Sequence, residues 1–450
     1  SISEVSDYCT DHSQRVEELH LAVLRYSHCM SSLNYSSAES RTETRQSRDQ
    51  VEVHQLAFLQ SEAVHPVITD AFLGKGLPAA EVTMEAVQHR PGAGATGIYR
   101  ITANEDVYVG VTTERIHGHV DGVMRTESEH GELVIWQHPM DPSLPGLQLA
   151  TDPGTVASTW GAGSELTALE TISYRPLRRA VIAADFADGR RVYLKVLREG
   201  HARDLADRHR MLLDAHVPAP VPVCEPIRDV MAFEQGRGVS LAELFLSDGA
   251  AVVRPADFIE LLEALPAEVM GLPARDAWTD RLPSYASAAV SALPGCERRI
   301  RRLEEEVLAG IPVTDRGPVV PSHGDFYEAN LLMNGSQISC LLDVDSLGPG
   351  YRVDDLACFL GHLAVLPAVD SRYIHAPAAF DRFARVFAAD VDSESLRIRA
   401  ASVALSLVSG ARDVRGNGWQ SKAEHRLRCA EVLLGLTPTA GDLPHWPAVL

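Results

Sequence analysis

Ser322-His323-Gly324-Asp325-Phe326-Tyr327-Glu328-Ala329-Asn330-Leu331-Leu332 is the stretch that decides the reading of this chain. Leu341-Leu342-Asp343-Val344-Asp345 follows it, and then Asp354-Asp355-Leu356-Ala357. Phosphoryl transfer asks little covalent chemistry of a protein. It needs cations on the phosphates, a carboxylate at the attacking hydroxyl, and rigid alignment. The stretch offers these parts in order. Asp325 sits on a loop after a short apolar strand, Pro318 to Pro321. Asn330 carries a neutral oxygen suited to a hard cation such as Mg²⁺. Asp343 ends a second apolar strand, Ile338 to Leu342, and two strands of one ribbon would bring both cation ligands to the same end. Taken singly, an Asp beside Gly reads as a turn and an Asn before Leu-Leu as a cap. Taken together at this spacing, the set favours the chemistry.

Working outward toward the N-terminus, Val192-Tyr193-Leu194-Lys195-Val196 alternates as a strand with Lys195 on one face. Such a lysine suits the α- and β-phosphates of a nucleotide. The segment from Tyr174-Arg175-Pro176 to Val196 also echoes His89-Arg90-Pro91 to Val111 at a constant offset of 85 residues. Each copy reads as two strands joined by a turn, Ala103-Asn104 in the first and Asp188-Gly189 in the second. Gly110 stands where Lys195 stands, so the first copy is expected to be a structural cap without a phosphate lysine. Gly92, Gly94 and Gly97 resemble a phosphate cradle but fall in that copy, where a turn is the simpler reading. Pro139 to Pro142 and Pro145-Gly146 read as the boundary between the copies.

Helical patterns run over Val51 to Phe72 and His201 to Ala215, Met231 to Glu234 reads as a strand, and the chain after Ser240 reads as helical apart from a loop region, Val319 to Gly350. A β-rich lobe followed by a helical lobe is an α+β plan. The expected domains are a polar, partly helical extension (1–50), a cap (51–145), an N-terminal lobe (146–238) and a helical C-terminal lobe (239–450). In the extension, Val16, Leu19, Val23, Tyr26, Met30 and Leu33 form one apolar helical stripe, either a partner-binding coil or a helix docked on its own chain.

A chain of 450 residues suits two or three domains. Its net charge of −20 disfavours nucleic acid and anionic membranes as partners. The same charge is compatible with a cationic substrate, or simply with solubility. No apolar run is long enough to span a membrane, and no secretory pattern is read at the N-terminus. Seven cysteines include no Cys-x-x-Cys pair, which fits buried thiols in a reducing, cytoplasmic setting.

The His-Gly-Asp of residues 323–325, Asn330, the strand-end Asp343 and the Asp355-Leu356-Ala357 run resemble the aminoglycoside phosphotransferase and choline kinase group of small-molecule kinases, over roughly residues 165–435. The resemblance implies a protein kinase-like two-lobed fold and use of ATP with Mg²⁺. It implies Asp325 as catalytic base or hydroxyl-orienting carboxylate, His323 as a brace of the loop, and Asn330 and Asp343 as Mg²⁺ ligands. Asp355 would support the loop through its backbone. Lys195 would reach the nucleotide phosphates, with an acidic partner on the following helix. The family usually has Glu there; this chain offers Asp204 and Asp207, of which Asp207 is preferred. No Gly-rich turn covers the phosphates, so Arg178 and Arg179 are expected to meet them instead. Phe233-Glu234-Gln235 would form the hinge, offering backbone groups at Phe233 and Gln235 to adenine.

The N-terminal cap looks like that of the actinobacterial maltokinases and glucosamine kinases, and the wording around Asp325 is more similar to the latter. From the residues themselves, Trp419 near Asp413 and Glu424 suits a sugar ring bearing an amine, or a C-terminal helix packing its Trp into the core. The acceptor expected is a small sugar, specifically an aminosugar such as glucosamine. An aminoglycoside antibiotic, a Ser or Thr of a peptide in a natural-product pathway, and a catalytically dead scaffold are the alternatives.

Overall fold

The protein is described from a computed structural model covering residues 42–73, 81–90, 93–102, 106–118, 120–413 and 418–436. The stripe from Val16 to Leu33, the turn at Ala103-Asn104 and Gly92 lie outside these residues. Two compact units are present, one drawn from residues 33–206 and 222–235, the other from 207–221 and 236 onward.

The first unit contains two antiparallel sheets. Helices α1 (Thr42–Leu59) and α2 (Val64–Leu73) precede strands β1 (Val82–Arg90), β2 (Gly94–Ile101), β3 (Val107–Thr112), β4 (Val123–Ser128) and β5 (Gly131–Gln137), which order as β1-β2-β3-β5-β4. Leu59, Val64, Ile68 and Phe72 pack against Tyr99, Val109, Val111, Leu133 and Ile135 to form its core. Short helices α3 (Leu147–Thr151) and α4 (Pro153–Trp160) lead into β6 (Leu166–Arg175), β7 (Arg179–Phe186), β8 (Arg191–Leu197) and, after helix α5 (His201–Asp214), β9 (Val230–Glu234). These four strands pair in the order β6-β7-β8-β9. Val192, Leu194 and Val196 alternate inward onto Leu147, Val156 and Trp160, which leaves Tyr193 and Lys195 on the other face.

The echo in the sequence is also an echo in pairing. His89 pairs with Ala95 across β1 and β2, and their counterparts Tyr174 and Ala180 pair across β6 and β7. The next strand is slipped by two residues between copies: Gly110 faces Ile98, whereas Lys195 faces Val181, the counterpart of Thr96. A slip of two keeps each side chain on its face of the sheet. Gly97 proves to be a strand residue rather than a turn. A Cβ there would lie 2.4 Å from the Tyr99 hydroxyl oxygen, which donates to the Leu59 carbonyl. The stretch read as a boundary is likewise built into this unit, because Asp141 is buried and accepts hydrogen bonds from the Leu177 N–H and the Tyr174 hydroxyl.

The second unit is mainly helical: α6 (Leu241–Ser247), α7 (Ala256–Glu263), α8 (Leu282–Ala292), α9 (Glu297–Gly310), α10 (Arg352–Val369), α11 (Ala376–Phe387), α12 (Ser393–Ser406) and α13 (Trp419–Leu433). Helix α10 is apolar almost all round and buried, with α11, α12 and α13 packed about it. Phe245, Phe258, Phe326, Phe359 and Phe383 meet edge-on or stacked at its side. The loop region from Val319 to Gly350, in which two short strands were read as one ribbon, holds four strands, and those two pair with other partners. β11 (Val319–Ser322) pairs with β14 (Gly348–Tyr351), and β12 (Leu331–Asn334) pairs with β13 (Gln337–Leu341) and with β10 (Val239–Ser240). β11 and β13 fall where strands were read, whereas β12 and β14, of four residues each, carry too little periodicity to be seen in sequence. No helix among the described residues is long and apolar enough to cross a membrane.

Candidate active site

The site in the helical unit is built on the loop between β11 and β12. Helix α10 begins with Asp354 and Asp355, acids placed where the helix dipole favours them. The buried Asp355 carboxylate accepts from the Ser322 hydroxyl (2.8 Å) and from the backbone N–H groups of His323 (2.9 Å) and Gly324 (2.8 Å). Burial raises its pKa, and these hydrogen bonds oppose the rise without cancelling it. One ion therefore holds three consecutive residues of the loop. Gly324 has φ +79°, and a Cβ there would stand 2.8 Å from the Ser346 carbonyl, so the turn demands glycine.

His323 is fully buried. Its Nδ1 accepts from the Asp325 N–H at 3.3 Å and its Nε2 lies 3.0 Å from the Leu342 carbonyl. That pair of contacts places the ring proton on Nε2, and the ring ties the Asp325 loop to the end of β13. Asn330 donates through Nδ2 to the Asp325 carbonyl at 2.9 Å, which fixes which end of its amide is left for a cation. The Leu342 N–H donates to the Asn330 carbonyl at 2.8 Å, and Leu331 pairs with Leu341. The β12–β13 hairpin thus brings Asn330 beside the residue preceding Asp343. Asp343 itself is left-handed, φ 52° and ψ 54°. Holding a non-glycine residue there costs about 1–3 kcal/mol, and such strain gathers at functional sites.

These residues fit Mg²⁺ as a guest shared with phosphate. Among the described residues no group of three or more His, Cys, Asp or Glu could hold a metal alone. An Asn and an Asp would instead leave the remaining positions to phosphates and water, the usual Mg²⁺ arrangement.

Glu328, quoted within the motif but given no role in sequence, is fully buried, and its carboxyl is pushed up to about 8 by burial. It is neutral at pH 7. Its signal was an acid inside the otherwise apolar run Phe326-Tyr327-Glu328-Ala329.

Other candidate residues have partners that the sequence did not disclose. Arg178 donates to Glu114 at 2.7 Å, both largely buried, so its charge is already met inside the β-rich unit rather than held out for phosphate. Arg179, on β7, pairs with Leu197. The Asp207 carboxylate takes Arg210, one turn along α5, at 2.7 Å; at i,i+3 the local partner has the shortest reach. The Gln235 N–H donates to the Arg191 carbonyl at 3.1 Å and is spent there. Phe233 is buried on β9, opposite Tyr193. Glu424, expected to meet an amine, is bound by Arg299 at 3.1 Å, and Arg299 also grips Glu431 at 2.7 Å. Trp419 is the half-buried first residue of α13. The side chain of Asp413 lies outside the described residues.

Residues 178–386 match the model of the phosphotransferase enzyme family. Among solved structures, the chain is similar to a thermostable mutant of aminoglycoside phosphotransferase APH(4)-Ia in its apo form, at 16% identity and a TM-score of 0.47, covering 62% of this chain and 97% of that one. It is similar to spectinomycin phosphotransferase in complex with ADP and spectinomycin, at 13% identity and 0.42, covering 64% and 93%. It is also similar to choline kinase from Cryptosporidium parvum Iowa II, at 12% identity and 0.41, covering 63% and 94%. No curated protein sequence matches the chain. The part of the chain that is similar to the phosphotransferase enzyme family therefore runs from β7 into α11 and carries Asp325, Asn330, Asp343 and Asp355.

Proposed function

We propose that this protein transfers the γ-phosphate of ATP to a hydroxyl of a small sugar, with Asn330 and Asp343 holding Mg²⁺ and Lys195 contacting the nucleotide phosphates. The observation that carries the reading is the loop at Asp325. Its backbone is pinned by Asp355 and His323, and the hairpin end with Asn330 and Asp343 is tied to the same loop. Alignment of this kind is most of what phosphoryl transfer requires.

In the step proposed, the acceptor oxygen bonds to the γ-phosphorus, the bond from that phosphorus to the β–γ bridging oxygen breaks, and ADP leaves. The acceptor proton passes to the Asp325 carboxylate, which must lie within about 3 Å of the hydroxyl. Mg²⁺, when bound, would offset charge on the phosphate oxygens. The chain's own work is to orient the hydroxyl and take its proton. The finer reading of an aminosugar loses its local anchor, since Arg299 holds Glu424.

A panel of free sugars, aminosugars, aminoglycosides and Ser/Thr peptides with labelled ATP tests the reading, with Asp325→Asn alongside. Label should pass to a sugar in the parent protein. Asp325→Asn should lose turnover by at least about 10³-fold while keeping ATP affinity, because the carboxylate acts only on the acceptor. Weakened ATP binding with residual turnover would contradict the role given to Asp325.

A further inference from the structure

We propose that the acceptor's recognised part is neutral and polyhydroxylated, and that a buried aromatic cluster beside Asp325 reads it. The inference rests on the phosphotransfer reading above and deepens it. Four rings of the helical unit form the cluster. Trp278 stacks on Tyr285 of α8 with centroids 5.6 Å apart. Trp278 also meets His362 of α10 edge-on at 6.1 Å, and His362 stacks on Tyr327 at 4.1 Å. Tyr327 lies two residues after Asp325 on the same loop.

Three groups in this cluster are buried without a hydrogen-bond partner among the described residues: Trp278 Nε1, Tyr285 Oη and Tyr327 Oη. Trp278 is 5% exposed and the two tyrosines 1% each. A folded chain rarely leaves a single buried donor unmet, and three in one contiguous cluster point to a ligand that meets them. Their neighbourhood to the reacting centre is electrostatically visible. Burial raises both phenols, and the Asp325 charge raises each further, with Arg281 opposing it at Tyr285. The phenols therefore stay protonated and can both donate and accept, while the indole only donates. Vicinal hydroxyls of a sugar or polyol offer the matching mixture.

The aromatic faces argue against a cationic acceptor here. The Arg281 guanidinium lies 5.5 Å from the centroids of both Trp278 and Tyr285, so a cation already sits at that aromatic surface. His362 covers Tyr327. The buried Arg426 acts on His362, whose pKa burial and that charge press down to about 3, so the ring is neutral. An ammonium would find these aromatic faces already covered by Arg281 and His362.

Calorimetric titration of the full chain without nucleotide tests this, using D-glucose, D-glucitol, D-glucosamine and D-gluconate as probes. The parent protein, Tyr285→Phe and Trp278→Phe are compared. A neutral probe should bind at least about tenfold more tightly than D-glucosamine, and each variant should weaken it by about tenfold, the order of one hydrogen bond in a buried site. Tyr285→Phe should also leave the melting temperature of the free protein unchanged or higher, because the hydroxyl bonds nothing there. Preference for D-glucosamine or D-gluconate, binding by no neutral probe, unchanged affinity in both variants, or a melting temperature several degrees lower in Tyr285→Phe would each overturn the inference. Sugar binding that depends on Tyr285, with no label passing from ATP, would sink the phosphotransfer reading and leave this one standing. Phosphorylation whose acceptor KM ignores both variants would do the reverse.

Discussion

Two three-stranded meanders stand in the β-rich unit, β1–β3 and β6–β8, with the same register at their first hairpin. They differ in what faces their third strand. Across from Lys195 on β8 lies Met231 of β9; across from Gly110 on β3 lies Trp136 of β5. Trp136 is fully buried, and a Cβ added to Gly110 would stand 2.2 Å from two atoms of its indole. The indole Nε1–H donates to the Tyr174 hydroxyl at 3.2 Å, and that hydroxyl donates to Asp141. The space that admits a lysine in the second meander is filled in the first by an aromatic that joins one sheet to the other. A repeated backbone plan thus carries two jobs. One copy presents a charged side chain, and the other supplies the wall against which Tyr174 and the β6–β7 turn are set.

The contrast is open to attack at four points. Lys195→Ala should lower kcat/KM for ATP by about 10²–10³-fold, the cost of one preorganised charge-stabilising donor. Wild-type ATP kinetics in that variant would erase the functional difference between the meanders.

Gly110→Lys should destabilise the fold by about 1–3 kcal/mol or more, as overpacking against Trp136 requires, and should leave ATP stoichiometry at one per chain. Denaturant melts and equilibrium dialysis check both halves. A second mole of ATP bound, in the variant or in the parent, would show that the first meander is no mere cap.

Trp136→Phe should cost about 1–1.5 kcal/mol through the lost indole hydrogen bond and volume. It should also raise the KM for ATP modestly, since Tyr174 and the turn after it lose their wall. If stability falls while the nucleotide constants do not move, the wall serves folding alone.

The smallest effect is a slope. Burial raises the Asp141 carboxyl above its ordinary value, against the opposing hydrogen bonds from Leu177, Ser143 and Tyr174. A folded-state pKa above the unfolded one means stability that is complete at acid pH and is lost as pH climbs through the raised value. Above about pH 4, the difference in unfolding free energy between Asp141→Asn and the parent should therefore drift in the variant's favour. A difference that stays flat with pH would remove Asp141 as a buried ion at this junction.

How much of this was legible beforehand differs from element to element. The α+β plan was legible, because strands such as Val192 to Val196 alternate and α10 is long and apolar. In the β12–β13 hairpin, β13 was read as the strand Ile338 to Leu342, but β12 was not, because its four residues lie below any periodic signal. Trp278 and Tyr285 were passed over, since an isolated aromatic in an Ala-rich stretch reads as core. Only their unmet polar atoms set them apart, and those exist only in three dimensions.

By itself the sequence determined the identity and order of the candidate site residues, from His323 through Asp343. The reason is local: a Gly-turned loop, an amide and a strand-end carboxylate act over a few residues, and their spacing along the chain nearly fixes their spacing in space. Tertiary structure alone decided which charges remained for chemistry. Arg178 found Glu114 across 64 positions and Arg299 found Glu424 across 125. A largely buried charge such as that of Arg178 is stable only when paired, and for either arginine the partner within 4 Å is a property of the packed fold and not of the chain.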